Sequence, residues 1–314
     1  MARKGPRRPA DTARWRGILI VVGAVLFLVL DIVLIGFALN RDEVPSSDAT
    51  PGPIPTFGVS RTPTPTPTPE STVTPAAVAQ PRYLAATSET SAWRASVGNC
   101  SGEDAFLEST VDGGVTWQTV NPPGVHQILS LLADPGSVSL VARIGAGCSL
   151  DMMKSFTDGE FWNSDPSAVT SVTLLDPLDT GVLHTADGAL RAPCSAARQV
   201  QERDDALAVV CDDQLFESTA AAAWLSVPVP GLLAVTPSDE GYTLAVAGVE
   251  GCAGVSIQTL LAPIGAAPPT VVGCATPSDP LSQVTIAQSG PTTWLWSGDQ
   301  VVTSLDGGAT WITL

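Results

Sequence analysis

The stretch STVDGGVTW, residues 109–117, is written again near the C terminus as TSLDGGATW, residues 303–311. Both fit Ser/Thr-x-Asp-x-Gly-x-Thr-Trp: Thr110, Asp112, Gly114, Thr116 and Trp117 in the first, and Ser304, Asp306, Gly308, Thr310 and Trp311 in the second. Each residue type suits a hairpin turn. A short Asp carboxylate accepts N–H groups across the turn, Gly at the fifth position admits positive φ, and the Trp carries the area to pack into a core. Degenerate versions lie between the two. KSFTDGEFW, 154–162, keeps Ser155, Gly159 and Trp162 but has Thr157 for the Asp and Phe161 for the Thr. FESTAAAAW, 216–224, keeps the Ser-Thr lead-in of LEST and ends on Trp224, with alanines in place of the polar turn. Trp117, Trp162, Trp224 and Trp311 therefore read as one position of a repeating unit.

Around these turns, residues 81–314 consist of short runs rich in Val, Leu, Ala and Thr, such as SVSLVARI, ALAVVC, YTLAVAG and QVVTSL, punctuated by Gly, Pro, Asp and Ser. No run sustains a helical period, so the pattern is all-β. A repeat of about 40 residues is the mark of a β-propeller. Second strands are expected at Trp93, Val138, Val182, Leu207, Tyr242 and Trp294, which gives six blades, with five or seven left open.

The repeated motif resembles the Asp box, or BNR repeat, of sialidases and of related propellers of the photosystem-assembly-factor and sortilin types. That resemblance implies a structural fastener joining the outer two strands of a blade, away from the usual active site. It also raises glycoside hydrolysis, which in sialidases rests on an arginine triad, a Tyr nucleophile activated by a Glu, and an Asp acid/base. The region has two tyrosines, Tyr83 and Tyr242, and its one Arg-x-Pro tripeptide, Arg191-Ala192-Pro193, follows the first Asp box where the family places it before. A sialidase site is therefore not expected. A two-carboxylate glycosidase stays open, because separations between acids are not legible in a sequence.

The N-terminal quarter has a different character. Residues 1–16 hold six basic residues against Asp11, and GILIVVGAVLFLVLDIVLIGFAL, 17–39, carries one charge, Asp31. A helix over that run reaches roughly 34 Å, enough for a bilayer core of about 30 Å. It is too long for a cleavable signal and reads as a retained anchor with the basic tail in the cytoplasm. Asp31 is either tolerated in so apolar a helix or contacts a partner helix. Residues 40–80 contain TPTPTPTPESTVTP, 62–75, where alternating proline excludes helix and sheet and favours an extended stalk. The expected organisation is tail, anchor, stalk and an exported propeller over 81–314.

Charge narrows the partners. Residues 81–314 carry seven Lys/Arg and 25 Asp/Glu, a surface that repels nucleic acid and anionic headgroups. Glu202, Asp204, Asp205, Asp212, Asp213 and Glu217 are expected to form a solvated acidic rim rather than a calcium loop, since no glycine-bearing Asp-x-Asp spacing accompanies them. His126 and His184 lie in separate blades and away from cysteine, so no zinc site is expected. The sequence has no P-loop, dinucleotide fingerprint or G-x-S-x-G elbow, and no cofactor is expected.

All six cysteines, Cys100, Cys148, Cys194, Cys211, Cys252 and Cys274, fall within 81–314. An even count confined to the exported region fits disulfides in an oxidising compartment. Blade geometry favours Cys252 with Cys274, Cys194 with Cys211, and Cys100 with Cys148 across consecutive blades. The sequence reading is a membrane-anchored, extracytoplasmic propeller that serves as a scaffold for envelope proteins or glycans, with an anchored glycosidase as the alternative.

Overall fold

A computed structural model describes residues 81–219, 223–277 and 283–312. They form six antiparallel sheets, each a meander of consecutive strands. Blade 1 is β1 (Arg82–Ala86), β2 (Ala92–Ser96), β3 (Leu107–Thr110) and β4 (Gln118–Val120); blade 2 is β5 (Val125–Asp134), β6 (Ser137–Ile144), β7 (Ser149–Ser155) and β8 (Asn163–Ser164). Blade 3 has three strands, β9 (Leu174–Leu175), β10 (Val182–Thr185) and β11 (Gly188–Arg191). Blade 4 is β12 (Gln199–Arg203), β13 (Ala206–Cys211), β14 (Gln214–Thr219) and β15 (Leu225–Pro228). Blade 5 is β16 (Leu232–Ser238), β17 (Gly241–Val246), β18 (Val255–Leu261) and β19 (Thr270–Ala275). Blade 6 is β20 (Thr285–Ser289), β21 (Thr292–Ser297) and β22 (Gln300–Ser304), with a bridge from Thr303 to Ile312 where a fourth strand would run.

The first strand of each blade touches the first strand of the next, in the cycle β1, β5, β9, β12, β16, β20 and back to β1. The ring is closed, and the fold is a six-bladed β-propeller. The six positions expected to mark second strands all lie in second strands: Trp93 in β2, Val138 in β6, Val182 in β10, Leu207 in β13, Tyr242 in β17 and Trp294 in β21. A second strand is hydrogen-bonded on both edges and covered on both faces by neighbouring blades. Hence β17 and β21 are buried at every residue, and their sequences run apolar and Thr-rich without alternation.

Alternating strand direction sorts the connections of the four-stranded blades onto two faces. Turns between first and second and between third and fourth strands share one face, which we term the turn face. Connections between second and third strands lie on the other. Disulfide bonds, expected from the even cysteine count, join Cys100 to Cys148, Cys194 to Cys211 and Cys252 to Cys274, with Cα separations of 6.0, 6.2 and 5.7 Å. Cys100 lies between β2 and β3 and Cys148 between β6 and β7, so this bridge links two blades. Cys211 ends β13 and Cys252 precedes β18, so each disulfide has at least one half at a second-to-third connection.

Candidate functional site

The two DGG turns both join a third strand to the segment that follows it, and their hydrogen bonds match atom for atom. In blade 1 the Thr116 N–H and hydroxyl donate to Asp112 Oδ1 and Oδ2 at 2.9 and 2.6 Å, and the Thr110 hydroxyl donates to Oδ1 at 2.8 Å. In blade 6 the Thr310 N–H and hydroxyl donate to Asp306 at 2.8 and 2.7 Å, and Ser304 donates at 2.7 Å. The Gly114 and Gly308 N–H groups return to the hydroxyls of Thr110 and Ser304, and both glycines sit at positive φ, 92° and 101°. These donors favour the ionised carboxylate. They hold Asp112, through Thr116 first, and Asp306, through the Thr310 amide first, down at about 2.

Blade 2 builds the same turn without the carboxylate. The Phe161 N–H donates to the Thr157 hydroxyl at 2.9 Å, and the Gly159 N–H to Ser155 Oγ at 3.0 Å. The indole N–H of Trp162 donates to Gly159 O, as that of Trp311 does to Gly308 O. In blade 4, residues 220–222 of the corresponding turn lie outside the described residues.

The four tryptophans share a destination. Each lies in an apolar cluster shared between its own blade and the blade before it. Trp117 meets Trp294 of blade 6 edge-on, with ring centroids 6.4 Å apart. Trp162 joins the cluster of Trp93 and Leu107 of blade 1, Trp224 joins Leu183 of blade 3, and Trp311 joins Ala245, Val255 and Ile257 of blade 5. The turn glycines make this approach close. A Cβ on Gly159 would lie 2.5 Å from Val120, and one on Gly308 would lie 2.6 Å from Ile257. The turns are thus inter-blade fasteners in their geometry.

The junction of blades 6 and 1 carries an additional device. Arg82 lies over the Trp296 ring at 4.4 Å, and Arg94 lies 5.3 Å from the same ring and 4.3 Å from that of Trp117. Glu108 holds Arg94 in place at 2.6 Å, Arg82 donates to the Gly298 carbonyl, and Trp294 donates to the Ser88 carbonyl at 3.2 Å. Partly desolvated cation–π contacts of this kind are each worth about 0.5–2 kcal/mol. This ladder is not legible in the sequence, because its members are scattered between positions 82 and 296.

Both tyrosines are built into blade packing. Tyr83 donates to the Leu129 carbonyl of blade 2 at 2.7 Å, and burial pushes its hydroxyl up. Tyr242 is fully buried and donates to Glu217 Oε1 at 2.8 Å, while Glu217 Oε2 accepts the Ile264 N–H at 2.8 Å. Arg203 lies 5.6 Å from the Tyr242 ring. Burial first, and then the carboxylate, raises the Tyr242 hydroxyl. A Tyr, a Glu and an Arg are therefore brought together, but as a lock between blades 4 and 5.

This corrects the expected acidic rim. Glu217 is 2% exposed and does not belong to it. Asp204 and Asp205 form the β12–β13 turn, whereas Asp212 and Asp213 form the β13–β14 turn at the opposite end of the same blade. A signal for the buried carboxylate was present: Glu108 in LEST and Glu217 in FEST stand at the same position of the repeat, and both have structural partners. His126 pairs with Asp104 at 2.7 Å and His184 with Asp176 at 2.8 Å. Among the described residues, no three metal-ligating side chains converge.

Of thirteen exposed large apolar side chains among the described residues, five lie in three neighbouring turns, and the rest, Leu178 at 90% among them, lie elsewhere on the surface. Val111, Val115, Phe156, Phe161 and Leu305 are 73, 64, 63, 66 and 48% exposed, all within the third-to-fourth turns of blades 1, 2 and 6. On the same face, a cavity of about 260 Å³ opens between blades 1 and 2, lined by Trp93, Ser91, Ser109, Val111, Asp134 and Asp158 among others. No described helix is long and apolar enough to cross a membrane; residues 1–16, 17–39 and 40–80 lie outside the described residues.

No protein-family model and no curated protein matches the chain. Among solved structures it is similar to YCF48 bound to a D1 peptide, at 16% identity over 75% of this chain and 80% of that one, with a TM-score of 0.28. It is also similar to a family 74 xyloglucanase from Xanthomonas campestris, at 15% identity over 74% and 38% of the two chains, with a TM-score of 0.27. PorZ, a surface component of the type IX secretion system of Porphyromonas gingivalis, is matched at 10% identity over 76% and 38%, with a TM-score of 0.40. The six-blade assignment rests on the sheets themselves.

Proposed function

We propose that this chain is a membrane-anchored, extracytoplasmic Asp-box propeller that binds or assembles proteins or glycans of the cell envelope. The apolar run 17–39 behind a basic tail supports the anchor, and the proline-alternating stretch supports a stalk. Three disulfides support an oxidising compartment. The observation that carries the binding role is the set of exposed apolar side chains on the turn face of blades 6, 1 and 2. A water-facing surface tolerates such groups singly, whereas their grouping on one face marks a contact surface. The fasteners and disulfides hold that face on a stiff ring.

Photo-crosslinking tests the reading. A photoreactive residue at Val115 or Phe161 of the full chain in its native envelope is expected to capture a discrete partner, and one at an exposed position on the opposite face is not. Glycan turnover by the full chain, lost on substitution of a carboxylate pair, would replace the scaffold with a glycosidase. Protease protection of the tail but not the propeller in intact cells is the expected topology.

A further inference from the structure

We infer that the cavity between blades 1 and 2 on the turn face receives a lysine or arginine side chain of a partner protein, flanked on the partner by apolar residues. This rests on the binding reading above and names the chemistry of the partner. Two carboxylates from different elements border the cavity: Asp134 from the β5–β6 turn and Asp158 from the third-to-fourth turn of blade 2. Both are exposed, and neither carboxylate takes part in a hydrogen bond or ion pair among the described residues. By contrast, Asp112 and Asp306 of the neighbouring turns are saturated by their own turns. The lining contains no cationic residue, and its remaining polar side chains are Ser and Thr hydroxyls beside Trp93. A volume of about 260 Å³ suits one long side chain and excludes a folded element.

The surroundings fit the same ligand. Val111 is part of the lining and 73% exposed, and Phe156, two residues before Asp158, is 63% exposed. Lys154 Nζ lies 4.8 Å from the Phe156 ring centroid, so one face of that ring is taken and the remainder is left for an apolar contact. An ammonium or guanidinium entering the cavity would meet two unpaired carboxylates, while apolar neighbours on the partner cover Val111 and Phe156. The excess of acids over bases in residues 81–314 draws in such a partner at a distance.

The test uses the full chain in nanodiscs and a fluorescent peptide, Ac-Ala-Leu-Lys-Leu-Ala-NH2, read by anisotropy. Saturable binding is expected, retained with arginine in place of lysine and weakened about tenfold or more with norleucine or glutamate. An Asp134→Asn/Asp158→Asn variant should keep its melting temperature and lose binding to a similar degree, and Val111→Ser should weaken it less. Binding should also fall as salt rises from about 0.05 to about 0.5 M. Absence of saturable binding, equal binding of the norleucine peptide, or indifference to the double Asn variant would overturn the proposal. Crosslinks from Val115 or Phe161 that persist in the double Asn variant would sink the cavity proposal and leave the scaffold reading standing.

Discussion

Asp306 is exposed, yet three donors converge on it, and its carboxyl titrates well below its usual value. A carboxylate with a depressed folded-state value adds stability above the unfolded value of about 3.8 and loses it as pH falls toward about 2. Thermal unfolding between pH 5 and pH 2 should therefore show a melting temperature that drops most steeply between these two values. Asp306→Asn and Asp112→Asn should each flatten that drop, with binding at neutral pH unchanged. A steep drop surviving in both variants would place the acid-sensitive groups elsewhere. Gly308 meets two constraints at once: φ of 101°, and a Cβ position 2.6 Å from Ile257. Gly308→Ala should cost about 1–3 kcal/mol for the backbone alone, with more from the clash. Adding Ile257→Ala should relieve only the clash, so a double variant less stable than Gly308→Ala alone beyond the cavity cost would count against this account.

At the scale of strands and turns, the Tyr242–Glu217 pair ties β17 to β14 and, through the Ile264 amide, to the turn after β18. Tyr242→Phe leaves a buried carboxylate short of one donor and should cost about 1–3 kcal/mol by chemical denaturation. A change within about 0.5 kcal/mol would mean that another donor reaches Glu217. The elements were legible in the sequence where one residue decided the local geometry. Gly and Asp fix a turn, and Trp93, Tyr242 and Trp294 mark second strands because only a strand covered on both faces buries so much ring. The Thr157 turn was legible too, as its hydroxyl occupies the acceptor position of the missing Asp. What was not legible depends on which blade faces which. Glu217 sits in a run of acids that a linear reading places in water, and the Arg82–Trp296–Arg94–Trp117 ladder joins the two ends of the ring. The cavity has the same origin, for Asp134 and Asp158 of blade 2 share a lining with Trp93 and Val111 of blade 1 only once the two blades pack.

For the whole molecule, covalent and packing links do different work. The Cys100–Cys148 bond closes a loop of 48 residues, against 17 for Cys194–Cys211 and 22 for Cys252–Cys274. Loop-closure entropy assigns the first about 4 kcal/mol and the other two about 3 kcal/mol each. Replacing each pair by serine should cost most for Cys100–Cys148 and less, by similar amounts, for the other two in denaturant unfolding, and a smallest loss for Cys100–Cys148 would show that native packing around the bridges decides. The tryptophan turns add a consequence in time. Because each reaches back to the preceding blade, blades 2, 4 and 6 can dock on a neighbour that ribosomes have already delivered. Trp117 alone must wait for Trp294, almost the entire propeller later. The first blade to be synthesised is therefore the last to be finished, and the nascent chain carries an unpacked indole and the uncovered flank of blade 1 until the sixth blade arrives to meet them.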